Sequence, residues 1–82
     1  MTLRVLFFST LREVVGQESM TIDHAETEWT VSGLLEKLYQ QFPGLKEWDQ
    51  QILVAVDQDY AERSASLADG QEVAIMPPVQ GG

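Results

Sequence analysis

The residues of this 82-residue chain with the most restricted chemistry are its last six, Pro77-Pro78-Val79-Gln80-Gly81-Gly82. Pro77 and Pro78 have no N–H to give to a sheet and favour an extended backbone, so strand pairing is expected to stop there and a protruding arm to begin. At ~3.3 Å per residue such an arm reaches up to about 20 Å. Gly81 and Gly82 lack Cβ atoms, so they fit a channel too narrow for side chains. The one reactive group on the arm is the α-carboxylate of Gly82.

Reactive groups elsewhere are few. The chain has no cysteine and a single histidine, His24. Disulfides, thiolate zinc sites, a cysteine nucleophile and a multi-histidine metal site are therefore excluded, and no metal is expected. The paired acids Glu26 and Glu28, and Asp57 and Asp59, imitate a carboxylate catalytic pair. They fall in expected loops without basic or aromatic company, which marks them as solvated charges, and His24 is read in the same way as an exposed loop residue. Thirteen acids against five bases give a formal charge of −8. Arg4, Arg12, Lys37, Lys46 and Arg63 are scattered, so no nucleic-acid ligand is expected. The acid excess favours solubility and complements a basic partner surface. Neither a membrane span nor an export signal is apparent, which makes the cytoplasm the expected location.

The elements that must position the arm follow from hydrophobic spacing. LRVLFFS over 3–9 reads as a strand with Leu3, Val5 and Phe7 on one face and Arg4, Leu6 and Phe8 on the other. Thr10 stands three residues before Glu13, the spacing of a capping box, and opens a short helix through Leu11, Val14 and Val15 that Gly16 ends. Residues 19–23 alternate as a second strand, and 24–28 form a polar, acidic loop. Val31, Leu34, Leu35, Leu38 and Phe42 make one stripe of the main helix, with Thr30 as its N-cap and Pro43-Gly44 as its stop. Gly33 in the first turn invites close packing. Residues 52–56 form a compact strand, Gln58-Asp59 a turn, Asp69-Gly70 a tight turn, and 71–76 the last strand.

One helix stripe and several one-sided strands bury each other only if the helix crosses one face of a sheet. The fold class expected is α+β, a β-grasp (ubiquitin-like) roll with a mixed sheet of about four to five strands. A ferredoxin-like split βαβ needs a second full helix between Ile52 and Gln71, where QDYAERSASLADG carries no long apolar stripe. The organisation is then a domain over 1–76 and an extended tail over 77–82. In such a roll the first and last strands lie side by side. With Leu3, Val5 and Phe7 inward beside Val73 and Ile75, Leu6 and Phe8 point outward on the face of Ala74 and Met76. Phe8 and Met76, with Tyr60 at the edge, are the expected partner-binding patch.

The sequence resembles the ubiquitin-like sulfur carriers, and within them most closely the small subunits of molybdopterin synthases. The resemblance spans nearly the whole chain. It is carried by Val5-Leu6-Phe7-Phe8 with Leu11-Arg12-Glu13, by Val54-Ala55-Val56, and above all by Asp69-Gly70-Gln71-Glu72-Val73-Ala74 leading into Pro77-Pro78-Val79-Gln80-Gly81-Gly82. Asp57 departs from the family, which usually has Asn there. The resemblance implies that the Gly82 terminus is adenylated with ATP on a ubiquitin-activating-enzyme-like adenylyltransferase and converted to a thiocarboxylate. It further implies that sulfur passes to a cyclic pterin precursor inside the large subunit of the synthase, which supplies the catalytic groups. No cofactor is expected on the chain itself. Carriers for thiamin or tRNA thiolation, and ubiquitin-like protein modifiers, share these features and stand as alternatives.

Overall fold

The computed structural model describes residues 1–78. Its centre is the pair β1 (Thr2–Phe7) and β7 (Glu72–Met76), which run parallel with Val5 opposite Val73 and Phe7 opposite Ile75. β2 (Ser19–Asp23) lies antiparallel on the outer side of β1. β4 (Leu53–Val56) lies antiparallel on the other side of β7, with β5 (Asp59–Tyr60) at its edge. The order β2-β1-β7-β4-β5 is a mixed five-stranded sheet. Alternation along β1 sends Leu3, Val5 and Phe7 into the core, where they meet Val73, Ile75, Val54 and Ile22.

Helix α2 (Val31–Gln41) covers that inner face with Val31, Leu34, Leu35 and Leu38, all buried. Thr30 caps it as expected, its side chain accepting the Gly33 N–H at 3.2 Å. The close packing at Gly33 is real: a Cβ there would collide with the indole of Trp29, with Cδ1 at 2.6 Å. Phe42, the last residue of the stripe, packs edge-on against Phe7 with ring centroids 6.3 Å apart. The domain is therefore an α+β β-grasp roll, as its apolar spacing requires.

The small pieces differ from expectation. α2 ends at Gln41, and Pro43, rather than only stopping it, takes the first turn of a further short helix, α3 (Pro43–Lys46), which buries Leu45. A 3-10 turn follows at Asp49–Gln51. Trp29–Thr30 (β3) and Ser66–Leu67 (β6) pair as a separate two-stranded ladder. The β4–β5 hairpin turns at Asp57 and Gln58, one residue earlier than expected. Both have positive φ, 48° and 75°, as a two-residue turn between twisted strands needs.

Helix α1 (Thr10–Val15) ends as predicted, with Gly16 at φ 87° and its N–H on the Arg12 carbonyl at 2.8 Å. Its start is different, because no capping box forms. The Leu11 N–H bonds the Phe8 carbonyl at 3.1 Å, which closes a four-residue turn after β1. Ser9 sits at φ 51°, ψ −130° and its side chain makes no capping bond. Those angles belong to the first central position of a type II′ turn, and they leave Thr10 already helical instead of in the extended geometry of an N-cap.

Candidate functional site

The outer face of the sheet is built by the parity that builds the core. Leu6 lies opposite Ala74, Ala74 opposite Ala55, and Ala55 opposite Tyr60. One residue pair further toward the end of β7, Met76 lies opposite Leu53. Phe8, just past β1, is held there by its N–H on the Ile75 carbonyl at 3.1 Å. The two central positions are alanines, so the larger groups around them leave a hollow of about 340 Å³, walled by Leu6, Phe8, Tyr60 and Met76. Phe8 and Tyr60 are 39% and 73% exposed, the two large apolar side chains left in solvent among the described residues. The structure thus brings Phe8, Met76 and Tyr60 into one patch. Ala55 and Gln58 also line it, and sequence reasoning missed both because their place depends on the register of β4 against β7.

The far end of the hollow sets an acid beside a base, Glu72 lying opposite Arg4 on the same face of the sheet. Glu72 lines it, and Asp57 is fastened to Glu72: the Asp57 N–H donates to the Glu72 carbonyl at 2.8 Å, and Oδ1 of Asp57 accepts the Glu72 N–H at 3.0 Å. This is an acceptor role that an aspartate fills as well as an asparagine. It ties the β4–β5 turn to the start of the last strand and so sets where Tyr60 stands.

Beyond Met76 the sheet ends. Pro77 and Pro78 are half-buried rather than free. With Ser9, Thr10, Trp48 and Gln51 they line a groove of about 750 Å³ beside the patch. Val79, Gln80, Gly81 and Gly82 lie outside the described residues. The decoy acids Glu26 and Glu28 are exposed. His24 is not the free loop residue expected: it is half-buried, its ring stacked on Trp29 at 3.8 Å and 12°. What the arrangement supplies, among the described residues, is an exposed apolar face where the last strand ends, without a general acid and base facing one another.

A second polar cluster had no signal in the sequence, since its members are 10 and 14 residues apart. Tyr39 donates to Oδ1 of Asp49 at 2.5 Å, and Arg63 bonds the same oxygen at 2.9 Å and the Asp49 carbonyl. Burial, then the bond to Asp49, pushes the Tyr39 phenol up, so it stays a proton donor. The Tyr39 hydroxyl, then Arg63, holds the Asp49 carboxyl below its usual range. The cluster clamps the segment after β5 to α2. A group with a lowered folded pKa adds stability above its unfolded pKa, and that stability is lost as pH falls through the folded value. Thermal melting should therefore show Asp49→Asn less stable than wild type at neutral pH, with the gap closing below the ordinary carboxylate range. A gap independent of pH would show that the carboxylate is not what the clamp uses.

Among the described residues no helix is long and apolar enough to cross a membrane. The sequence pattern of the ThiS family matches residues 5–82. The chain is 35% identical to the molybdopterin synthase sulfur carrier subunit of Dictyostelium discoideum, over 96% of this chain and 94% of that protein. Among solved structures it superposes on SAMP1 from Haloferax volcanii with a TM-score of 0.85 at 28% identity, covering both chains completely. It also superposes on a chain from the complex of subunits 1 and 2 of molybdopterin-converting factor from Helicobacter pylori 26695, with a TM-score of 0.70 at 26% identity, again over both whole chains.

Proposed function

The chain belongs to the ThiS family, and from that premise we propose that it is the sulfur carrier subunit of a molybdopterin synthase. The observation that carries this reading is the apolar hollow of Phe8, Tyr60 and Met76 at the point where the last strand gives way to the prolines and the terminal glycines. A partner that holds this face receives the arm. The large synthase subunit docks here and takes the Gly82 end into its active site, and the adenylyltransferase uses the same face at an earlier step.

A carboxylate is a poor acyl electrophile. On the adenylyltransferase an oxygen of the Gly82 carboxylate attacks the α-phosphorus of ATP and releases pyrophosphate. Hydrosulfide then attacks the acyl carbon and displaces AMP, leaving a thiocarboxylate. In the large subunit that sulfur passes to the cyclic pterin precursor, toward the dithiolene of molybdopterin, and water takes its place on the Gly82 acyl carbon to restore the carboxylate. With no cysteine in the chain, the terminal carboxylate is the place for carried sulfur. ATP belongs to the activating enzyme, and the acid and base of transfer belong to the large subunit. The acid excess of a chain of formal charge −8 fits a basic rim on either partner.

Intact mass after incubation with ATP, the adenylyltransferase and a sulfur source tests the reading. The expected result is a shift of one oxygen-to-sulfur exchange on this chain. An unchanged mass would overturn it. The likeness to SAMP1, a small archaeal modifier protein of Haloferax volcanii, favours a second reading, conjugation to lysines. That reading predicts a ladder of heavier conjugates instead.

A further inference from the structure

The turn that delivers Phe8 to the outer face carries a residue that its backbone does not favour. Phe8, Ser9, Thr10 and Leu11 form a turn closed by the Leu11 N–H on the Phe8 carbonyl at 3.1 Å. Ser9 occupies the first central position at φ 51°, ψ −130°, where glycine is the usual residue because a Cβ is crowded. A strained non-glycine residue persists only where surrounding structure holds it, and such residues gather at functional sites. Glycine here would relieve the strain, so something other than stability accounts for the serine. Its side chain is not used as a helix cap, because it makes no capping hydrogen bond to α1. Ser9 is exposed. It stands between Phe8, which walls the apolar hollow, and Pro77 and Pro78, with which it lines the groove at the root of the arm.

The other polar residues on that groove point to the same use. Thr10 and Gln51 carry hydrogen-bond donors, as does the indole of Trp48. The two prolines bring carbonyl acceptors and no N–H. A backbone that lies along the groove is thus met by donors on its flank, continuous with the apolar contact at Phe8.

We infer that Ser9 is a specificity-determining contact of the carrier, its hydroxyl hydrogen-bonding the large synthase subunit as that subunit closes over the root of the arm. The inference rests on the docking face proposed above. It assigns to Ser9 a role at the interface that the strained turn makes possible and that stability alone would remove.

The test uses the full chain and the cognate large subunit, with Ser9→Gly, Ser9→Ala and Phe8→Ala measured for thermal melting and for binding by titration calorimetry. Ser9→Gly should melt roughly 3–6 °C higher than wild type, the scale of a relieved backbone strain in a domain this small. Both Ser9 variants should bind the large subunit about three- to tenfold more weakly, the range of one hydrogen bond. Because Ser9→Gly also loosens the turn that delivers Phe8, the loss of affinity in Ser9→Ala, which keeps the Cβ, is what a merely structural serine cannot produce. Wild-type affinity in Ser9→Ala, or a lower melting temperature in Ser9→Gly, overturns the inference. Loss of binding in Phe8→Ala with none in either Ser9 variant overturns the Ser9 contact and leaves the docking face standing. Loss of binding in the Ser9 variants with none in Phe8→Ala overturns the docking face, and the inference that rests on it falls with it.

Discussion

Deletion of Gly82, or the placing of one further residue after it, is expected to abolish sulfur transfer while the domain melts at the temperature of the unaltered chain. The two halves of that result have separate causes. Among the described residues the buried core runs from Leu3 to Ile75, with no member beyond the last strand. Deleting Gly82 leaves that core whole. Transfer depends on the position of one acyl carbon. Effective catalysis needs reacting atoms held about 3–3.5 Å apart, and shortening or lengthening an arm by one residue moves its end by ~3.3 Å, about one such distance. A misplacement of 1 Å is already worth about a hundredfold, so a full residue is expected to leave no measurable product. The measurement pairs molybdopterin formation by the reconstituted synthase with thermal melting of the carrier alone. Wild-type product formation by a well-folded truncated chain would sink the mechanism.

What the sequence makes legible follows from length and period. Five apolar residues at helical spacing over twelve positions, Val31 to Phe42, predict α2, and the two-residue period of β1 fixes which of its side chains share a face. Together they leave Leu6, Phe8 and Met76 no place but the outer face. Elements of two residues have no period to read, which is why the sequence gives no sign of the Trp29–Thr30 and Ser66–Leu67 ladder and places the turn at Asp57 and Gln58 one residue late. Thr10 and Glu13 have the right types and spacing for a capping box. The backbone of Ser9 decides otherwise, since a tight reversal straight after β1 leaves Thr10 in helical geometry. The Tyr39, Asp49 and Arg63 clamp joins three elements and exists only once they have packed. Local propensity marks Pro77 and Pro78 as the beginning of a protruding arm. That they are half-buried, and share a groove with Trp48 and Gln51 from the segment after α3, depends on tertiary packing that propensity does not show.

Phe8→Ala is expected to weaken binding to both the adenylyltransferase and the large subunit by roughly 1–3 kcal/mol, the loss typical of an aromatic anchor at an interface. The domain should remain folded. Phe8 is 39% exposed on the face away from α2, and its backbone bond to Ile75 survives truncation of the side chain. The neighbouring residue provides the contrast. Phe7 is 2% exposed and packs edge-on against Phe42, so Phe7→Ala removes core rather than interface, costs about 3–5 kcal/mol and should unfold a domain of this size. Adjacent phenylalanines on a strand thus report on opposite faces of the sheet, and comparing them separates docking from folding. A single exposed apolar residue is ordinary on any protein surface. Phe8 is not single: Tyr60 and Met76 stand with it around a floor of alanines, at the end of the sheet from which the arm departs. On the proposed reading one face serves both steps, so the two partners are expected to exclude each other, the carrier leaving the adenylyltransferase before it meets the synthase. Calorimetric titration of wild-type and Phe8→Ala carrier with each partner, followed by titration of one partner into the preformed complex of the other, tests both claims. Unchanged affinities, or a ternary complex of carrier with both partners, would show that the sulfur carrier is held by some other surface.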